Sequence, residues 1–189
     1  MQIVLASRSP RRLMLLQGAG MAVEVRPSHI DESMHSGESV QDLVTRLSRE
    51  KAFACNESDY PVIAADTLVA KGEAILGQPR DLHEAAAMLH TLSGSEHHVL
   101  TGVCVRIGKH YEQQAVTTRV CFRHLSEQDI DTYLVHNEVL DKAGAYAVQG
   151  GAASFIEAIE GPLDNVIGLP VAVTLKMLAR VDSLREKAA

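Results

Sequence analysis

The sequence contains no tryptophan, and aromatic residues make up only 4% of its 189 positions. Its core must therefore come mainly from Leu, Val, Ile and Ala, within a hydrophobic content of 46%. That content excludes a disordered chain, and a chain of this length can bury a core without disulfides. No apolar run approaches the ~20 residues of a membrane helix, so we expect no membrane partner.

Cysteine is also scarce, and positive charge is in deficit. The three cysteines are odd in number and form no C-x-x-C pair, which argues against a zinc ribbon or a redox dithiol. We expect inert thiols in a reducing compartment. Lys and Arg total 18 against 24 Asp and Glu, a net charge of −6, which argues against nucleic-acid binding. The apolar stretch at the N-terminus is followed closely by Arg8 and is too short for the core of a signal peptide, so we expect a cytoplasmic protein.

Apolar runs and helix caps alternate along the chain and predict an α/β fold with a mixed sheet, in a single domain over 1–189. The predicted strands are 2–6, 22–26, 60–65, 97–107 and 114–123, with short strands near 144–148 and 153–159. The strands 97–107 and 114–123 are predicted to form a hairpin around Gly108. The predicted helices are 10–19, 40–54, 82–92, 127–136 and 170–181, and a charged tail over 185–189 follows. Asp81 with Glu84 and Ser126 with Asp129 are predicted to cap the third and fourth of these helices.

The first candidate site is the corner between the first strand and the first helix. Ser9 is a good N-cap and Pro10 fits the first helical position, so free N–H groups face Ser7, Arg11 and Arg12. Hydroxyls and arginines at a helix N-terminus favour an anion site, most simply for phosphate. The alternative is a capped helix with two solvated arginines. The P-loop motif is absent.

Three further candidates carry charge. Lys51 continues the apolar stripe of its helix, where an ammonium needs a partner, a cleft or a route to solvent. That stripe consists of Val40, Leu43, Val44, Leu47 and Ala54. Asp66 and Thr67 follow the predicted strand 60–65. A carboxylate at this position can bind a hard cation or act as a general base. The alternative is that Asp66 only ends the strand in a turn or caps a helix. The pair Asp31-Glu32 in a polar loop is a solvated surface unless it meets Asp66, when the acids would form a Mg²⁺ site.

A glycine-rich segment near the C-terminal third supplies the last candidate. Its residues 141–151 allow close backbone approach to a ligand, and Gln149 offers a donor and an acceptor for a base edge. A turn-rich hairpin is the alternative.

In this order, the segments resemble the Maf family of nucleoside triphosphate pyrophosphatases over residues 2–180. No single motif is specific, but their combination is. The matching segments are Leu5-Ala6-Ser7-Arg8-Ser9-Pro10-Arg11-Arg12, Asp31-Glu32, Arg49-Glu50-Lys51-Ala52, Ala65-Asp66-Thr67, Leu92-Ser93-Gly94 with His98, Thr101-Gly102-Val103, Asp141-Lys142-Ala143-Gly144-Ala145-Tyr146 through Gln149-Gly150, and Val166-Ile167-Gly168-Leu169-Pro170.

The resemblance implies a two-lobed Maf/ITPase-like fold, with an elongated, curved mixed sheet and a deep central cleft. It implies a hydrolase that splits the α–β phosphoanhydride of a nucleoside triphosphate and releases pyrophosphate. The implied cofactor is a divalent metal cation, Mg²⁺, with Mn²⁺ and Co²⁺ as alternatives. A homodimer is also implied.

The resemblance further assigns roles to individual residues. Asp66 resembles the proton acceptor that activates water, and Glu32 resembles its acidic partner, so that the two hold the metal. Lys51, Ser7 and Arg12 match phosphate-binding positions.

Arg11, Thr67 and Gln149 match the positions that distinguish the branches of the family. These residue types resemble the branch acting on dTTP and UTP, together with modified pyrimidine nucleotides. The alternatives are the 7-methyl-GTP branch, which carries an aromatic residue, Gln and Glu there, and a non-catalytic nucleotide-binding regulator of septum formation. The chain departs from the family at Gln78, where a lysine of the substrate site is usual. Gln78 can donate a hydrogen bond to a phosphate but carries no positive charge. Arg80 is a candidate to supply the charge of the missing lysine.

Overall fold

The computed structural model describes residues 1–56 and 59–186, which form a mixed α/β fold as predicted. Its sheet has seven strands: β1 Gln2–Leu5, β2 Ala22–Val25, β3 Val62–Lys71, β4 Ala74–Leu76, β5 Glu96–Ile107, β6 His110–Phe122 and β7 Ile156–Glu160. The α-helices are α1 Pro10–Gly18, α2 Val40–Ala54, α3 Leu82–Leu92, α4 Glu127–His136, α5 Leu163–Ile167 and α6 Val171–Glu186. None of these helices is both long and apolar enough to cross a membrane.

The strand order is β2-β1-β3-β5-β6-β7, and β4 pairs with β3 outside that path. Strand β1 runs parallel to both β2 and β3, whereas β3–β4 and β6–β7 are antiparallel. The sheet is therefore mixed, as the sequence predicts.

Local capping signals place the helices correctly. The Ser9 hydroxyl accepts the N–H of Arg12, with Pro10 in the first turn of α1. Ser126 and Asp129 form a reciprocal capping box at α4. At α3 the box is incomplete, because the Glu84 carboxylate accepts the N–H of Arg80 instead.

Three expectations about the elements are wrong. Strand β3 does not end at 65 but continues to Lys71, and the chain turns at Gly72 into the unpredicted β4. The predicted strand near 144–148 is replaced by short 3-10 turns, because Gly144 and Gly151 have φ of 68° and 90°. Helix α5 was not predicted, and α6 extends through the start of the predicted tail, whose residues 187–189 lie outside the described residues.

Contacts divide the chain into two compact units. The first comprises Met1–Asp66, Thr101–Val116 and the described residues from Gly168 onward; the second comprises Thr67–Leu100 and Thr117–Ile167. The prediction of two lobes around one cleft stays a prediction. The core of the first unit is aliphatic, as expected, whereas the second concentrates aromatic side chains: Phe122, Tyr133, Tyr146 and Phe155.

Helix α2 lies directly on β5 within the first unit. A Cβ atom at Gly102 of β5 would come within 2.1 Å of the Val44 carbonyl oxygen, so only glycine allows this approach. Leu43 and Leu47 are buried beside Val44, as the apolar stripe predicts, but Ala54 at the end of that stripe is exposed. The close approach fixes the helix that carries Lys51.

The cysteines Cys55, Cys104 and Cys121 are all free thiols. Burial raises the pKa of Cys104 to about 12, so this thiol stays protonated and inert, as expected.

Candidate active site

Three residues predicted on separate elements meet in the first unit. The Lys51 ammonium of α2 lies 2.6 Å from Oδ1 of Asp66 on β3 and 2.9 Å from Oε1 of Glu32 in the preceding loop. The side chains of Lys51 and Asp66 are 11% and 10% exposed, and that of Glu32 is 59% exposed. The ammonium therefore ends against two carboxylates rather than in open solvent.

The position of Asp66 within its strand differs from the prediction. Asp66 lies inside β3, not at its end, because the apolar residues Leu68, Val69 and Ala70 continue the strand. Strand β1 nevertheless pairs Leu5 with Ile63, so Asp66 lies beyond the last β3 residue that β1 covers. Asp66 thus lies past the carboxyl end of a neighbouring parallel strand, where ligand groups collect in α/β sheets.

The helix corner is also more ordered than a pair of solvated arginines. Arg12 donates from Nη1 to the Ser7 hydroxyl at 3.0 Å and from Nε to the Gly168 carbonyl at 2.8 Å. The Ser7 hydroxyl also accepts the Ser9 N–H at 3.2 Å. Arg12 is thereby fixed beside the free end of α1.

Burial is the largest effect on Arg12 and lowers the pKa of its guanidinium, and the nearby Arg11 lowers it further. The charges of Asp66 and Glu32 act in the opposite direction. The guanidinium remains charged, since arginine is not deprotonated in proteins. The Arg12 guanidinium is therefore close enough to Asp66 and Glu32 to interact with their charges.

The donor set fits a divalent cation. The carboxylates of Glu32 and Asp66 contact the same ammonium, so both can approach a single cation. Among the described residues, no group of three or more His, Cys, Asp or Glu side chains could hold a metal. Two carboxylates completed by substrate phosphates are the usual arrangement for Mg²⁺, which seldom takes an all-protein cage.

The remaining candidates belong to the second unit. The structure joins the Gln78 loop to the glycine-rich segment: Gln78 Nε2 donates to the Asp141 carbonyl at 3.2 Å, and the Gly144 N–H donates to the Gly77 carbonyl at 3.0 Å. Thr67 is half-buried on β3.

Gln149 is exposed on the 3-10 turn Val148–Gly150. Just before this turn, the Ala147 N–H donates to the Tyr133 hydroxyl at 3.1 Å. Arg80, proposed as a substitute cation, pairs with Glu84 at 2.9 Å.

Two groups of residues were missed from the sequence. In the second unit, the buried His97 ring bonds the Tyr146 hydroxyl at 2.8 Å below the glycine-rich segment. In the first unit, Arg46 and Glu38 anchor the loop that carries Glu32. Neither pairing has a local sequence signal, because the partners are distant in the chain or lie on different elements.

The mixed sheet and this cluster of carboxylates and cations define a Maf-like protein. Residues 2–181 match the family described as Maf-like protein, and the chain belongs to the Maf family, which confirms the resemblance.

Its relatives include the dTTP/UTP pyrophosphatase of Anaeromyxobacter dehalogenans strain 2CP-C, 46% identical over 184 residues, which are 95% of this chain and 93% of the relative. The dTTP/UTP pyrophosphatase of Geobacillus sp. strain WCH70 is 44% identical, with 95% and 98% covered. That of Escherichia coli strain K12 is 42% identical, with 98% and 95% covered.

Proposed function

We propose that this protein is a nucleoside triphosphate pyrophosphatase that hydrolyses dTTP and UTP, and modified pyrimidine nucleotides, to the monophosphate and pyrophosphate. The observation that carries the proposal is the Lys51 ammonium held between Asp66 and Glu32 beside the Arg12 corner. The names of relatives 42–46% identical over nearly the whole chain support the same substrates.

The cationic side chains bind the phosphates. Arg12 and Lys51 donate charge-assisted hydrogen bonds to phosphate oxygens, and the Ser7 hydroxyl adds a neutral one. These donors are ordered before substrate arrives, because each already has a protein partner. They therefore stabilise the charge on the transferring phosphoryl group at little reorganisation cost.

Asp66 accepts the proton of the attacking water. A carboxylate has two oxygens with several lone pairs, so it can keep the Lys51 hydrogen bond and still take a proton. The water oxygen forms a bond to the α-phosphorus, the bond from that phosphorus to the bridging oxygen breaks, and pyrophosphate leaves with the bonding electrons. Placement inside a strand holds the base in position for this step.

The proposal includes a divalent cation, Mg²⁺ with Mn²⁺ and Co²⁺ as alternatives, held by Glu32 and Asp66. Such a cation would neutralise phosphate charge and make water easier to deprotonate. Lys51 keeps the two carboxylates together, which counters the repulsion between two like charges.

Gln149 recognises the base, with Arg11 and Thr67 as the other branch-specific residues. Its amide offers a donor and an acceptor side by side, which complement the 4-carbonyl and N3–H of uracil and thymine. Cytosine presents the inverse pattern, which the amide matches when it is flipped, so the preference also requires that neighbouring groups fix the orientation of the amide.

Product analysis with purified protein tests the function. Pyrophosphate and monophosphate should appear from dTTP and UTP with Mg²⁺, and little should appear without it or with Asp66→Asn. CTP and 7-methyl-GTP should be poorer substrates. Preference for 7-methyl-GTP would place the chain in the other branch, and tight UTP binding without pyrophosphate release would indicate a regulator.

The Gln149→Glu variant tests base recognition. It should lower kcat/KM for UTP and dTTP about 10-fold, because an unpaired polar group costs about 1–3 kcal/mol. CTP should be affected less, since a carboxylate can accept from its 4-amino group. An equal effect on all nucleotides would show that Gln149 does not contact the base.

The proposed enzyme works in the cytoplasm on free nucleotides, as a homodimer. Sedimentation at micromolar concentration tests the dimer, and a monomeric mass with full activity would contradict it.

A further inference from the structure

The loop that presents Glu32 is anchored to α2 by one arginine. Arg46 donates from Nε and Nη2 to the two carboxylate oxygens of Glu38 at 2.7 and 2.9 Å. Nη2 also donates to the Ser33 carbonyl at 2.9 Å, and Nη1 to Glu50 at 3.2 Å. The Arg46 and Glu38 side chains are only 14% and 9% exposed. A bidentate pair with so little exposure has a defined geometry.

The carboxylates of Glu38 and Asp31 organise the rest of the loop. Glu38 Oε2 also accepts the His35 N–H at 3.0 Å, and the Asp31 carboxylate accepts the Ser33 N–H at 2.9 Å. Glu32 lies between these bonded residues, directly before the Ser33 carbonyl that Arg46 holds. The anchor therefore acts on the peptide unit next to the Glu32 backbone.

Glu32 cannot hold this position by itself. Its bond to Lys51 is made by a side chain that is 59% exposed, and exposed ion pairs contribute about 0–1 kcal/mol. Ordering a single residue costs about 1–2 kcal/mol of backbone entropy, so that pair cannot order a loop. The order must come from contacts elsewhere, and the Arg46–Glu38 pair supplies them.

We propose that Arg46 and Glu38 are positioning residues that hold Glu32 at the Lys51–Asp66 cluster. Because Lys51 and Arg46 both belong to α2, one helix supplies both the partner of Glu32 and the anchor of its loop. The inference rests on the proposed function for the part that Glu32 plays in binding the cation. The Arg46–Glu38 ion pair persists at neutral pH, since the Arg46 guanidinium lowers the pKa of Glu38 to about 2.

The chain offers a matched control. Arg119 on β6 also bonds one glutamate through two nitrogens, Glu160, and a second glutamate, Glu96, through a third. Arg119→Met therefore removes the same kind of ion-pair cluster without touching the Glu32 loop. Arg46→Met is the test variant, because methionine keeps much of the apolar stem.

The first readout needs no activity. A glutamate-specific protease should cut after Glu32 about 10-fold faster in Arg46→Met than in wild type, as judged by mass spectrometry at early times, if the loop is released. Arg119→Met should match wild type. Unchanged cleavage after Glu32 in Arg46→Met would overturn the proposal.

The second readout is the cation. Mn²⁺ affinity, measured by electron paramagnetic resonance with the α,β-imido analogue of UTP, should weaken about 10-fold in Arg46→Met, the usual effect of disturbing groups that orient a metal ligand. The Mg²⁺ concentration for half-maximal turnover should rise equally, and kcat at saturating Mg²⁺ should stay close to that of wild type. A general loss of folded enzyme would instead lower kcat and leave that concentration unchanged, which would contradict positioning.

A further variant covers a folding failure. If Arg46→Met does not fold, Glu38→Gln removes the charge with little change of shape and must give the same cation shift. Wild type that releases no pyrophosphate from UTP or dTTP would refute the proposed function, whereas the protease comparison would still decide whether Arg46 holds the loop.

Discussion

Replacing Asp66 by asparagine tests its proposed role as the general base. The carboxylate is buried, and its Oδ1 accepts a hydrogen bond from the Lys51 Nζ at 2.6 Å. The amide has nearly the same shape, and its oxygen can still accept from Lys51. What disappears is the negative charge and the ability to take a proton from water. The substitution therefore removes a general base and the charge of one proposed metal ligand, while leaving a hydrogen-bond acceptor in place.

The expected loss in kcat is about 10²- to 10⁴-fold, the usual contribution of a general base, or about 3–5 kcal/mol of transition-state stabilisation. At saturating Mg²⁺, KM should change little, because removing an anion near Arg12 and Lys51 favours the triphosphate, whereas losing one of the two carboxylates proposed to hold the cation disfavours it. Stability should fall by less than the ~3–5 kcal/mol of a broken buried pair, since Lys51 keeps Glu32 as a partner.

The assay is pyrophosphate release from UTP under saturating substrate and Mg²⁺, with thermal unfolding followed in parallel. Asp131→Asn, an exposed site on α4, is the control and should match wild type. Asp66→Asn with more than about a tenth of wild-type kcat would refute a general base. A raised KM with normal kcat would instead show that Asp66 serves binding.

Three further predictions follow from single contacts. Lys51→Ala and Arg12→Ala should each lower kcat/KM about 10- to 150-fold, because each loses a charge-assisted bond of about 1.5–3 kcal/mol; unaltered kinetics would exclude both from phosphate binding. Gln78→Lys should raise kcat, since an ammonium would stabilise phosphate charge better than an amide, and a variant no faster than wild type would show that another cation already compensates. The pKa of Glu38 is lowered from 4.5 to about 2 by Arg46, so the stability from this pair is complete above pH 4.5 and disappears towards pH 2. The Tm difference between wild type and Glu38→Gln should shrink over that interval, and a constant difference would refute the assignment.

The elements best predicted from the sequence are those set by neighbours in the chain. The Ser9 cap, the Ser126 capping box and the hairpin around Gly108 depend on residues a few positions apart, and all three are present. In the glycine-rich segment, the predicted strand near 144–148 is wrong, because the positive φ of Gly144 and Gly151 favours turns.

In the site too, features set by residue type could be predicted, whereas contacts set by packing could not. Residue types at the corner and at Asp66 indicate phosphate and acid–base chemistry from the sequence alone. That Lys51 would bridge Asp66 and Glu32 depends on how α2 packs in the first unit, which periodicity does not specify. The same holds for Arg46, whose partner Glu38 precedes the helix.

The absence of a side chain at Gly102 has a practical consequence for mutagenesis. A Cβ atom there would lie 2.1 Å from the Val44 carbonyl oxygen, which is a steric clash. Because the clashing atom belongs to the backbone, the clash can be relieved only by displacing α2. That helix carries Lys51 and Arg46, so a substitution of Gly102 would lower turnover. A mutagenesis screen that measures only activity would then wrongly identify Gly102 as a catalytic residue. Measuring Tm alongside activity for Gly102→Ala would expose the difference: a displaced helix lowers both, whereas Asp66→Asn lowers activity far more than stability.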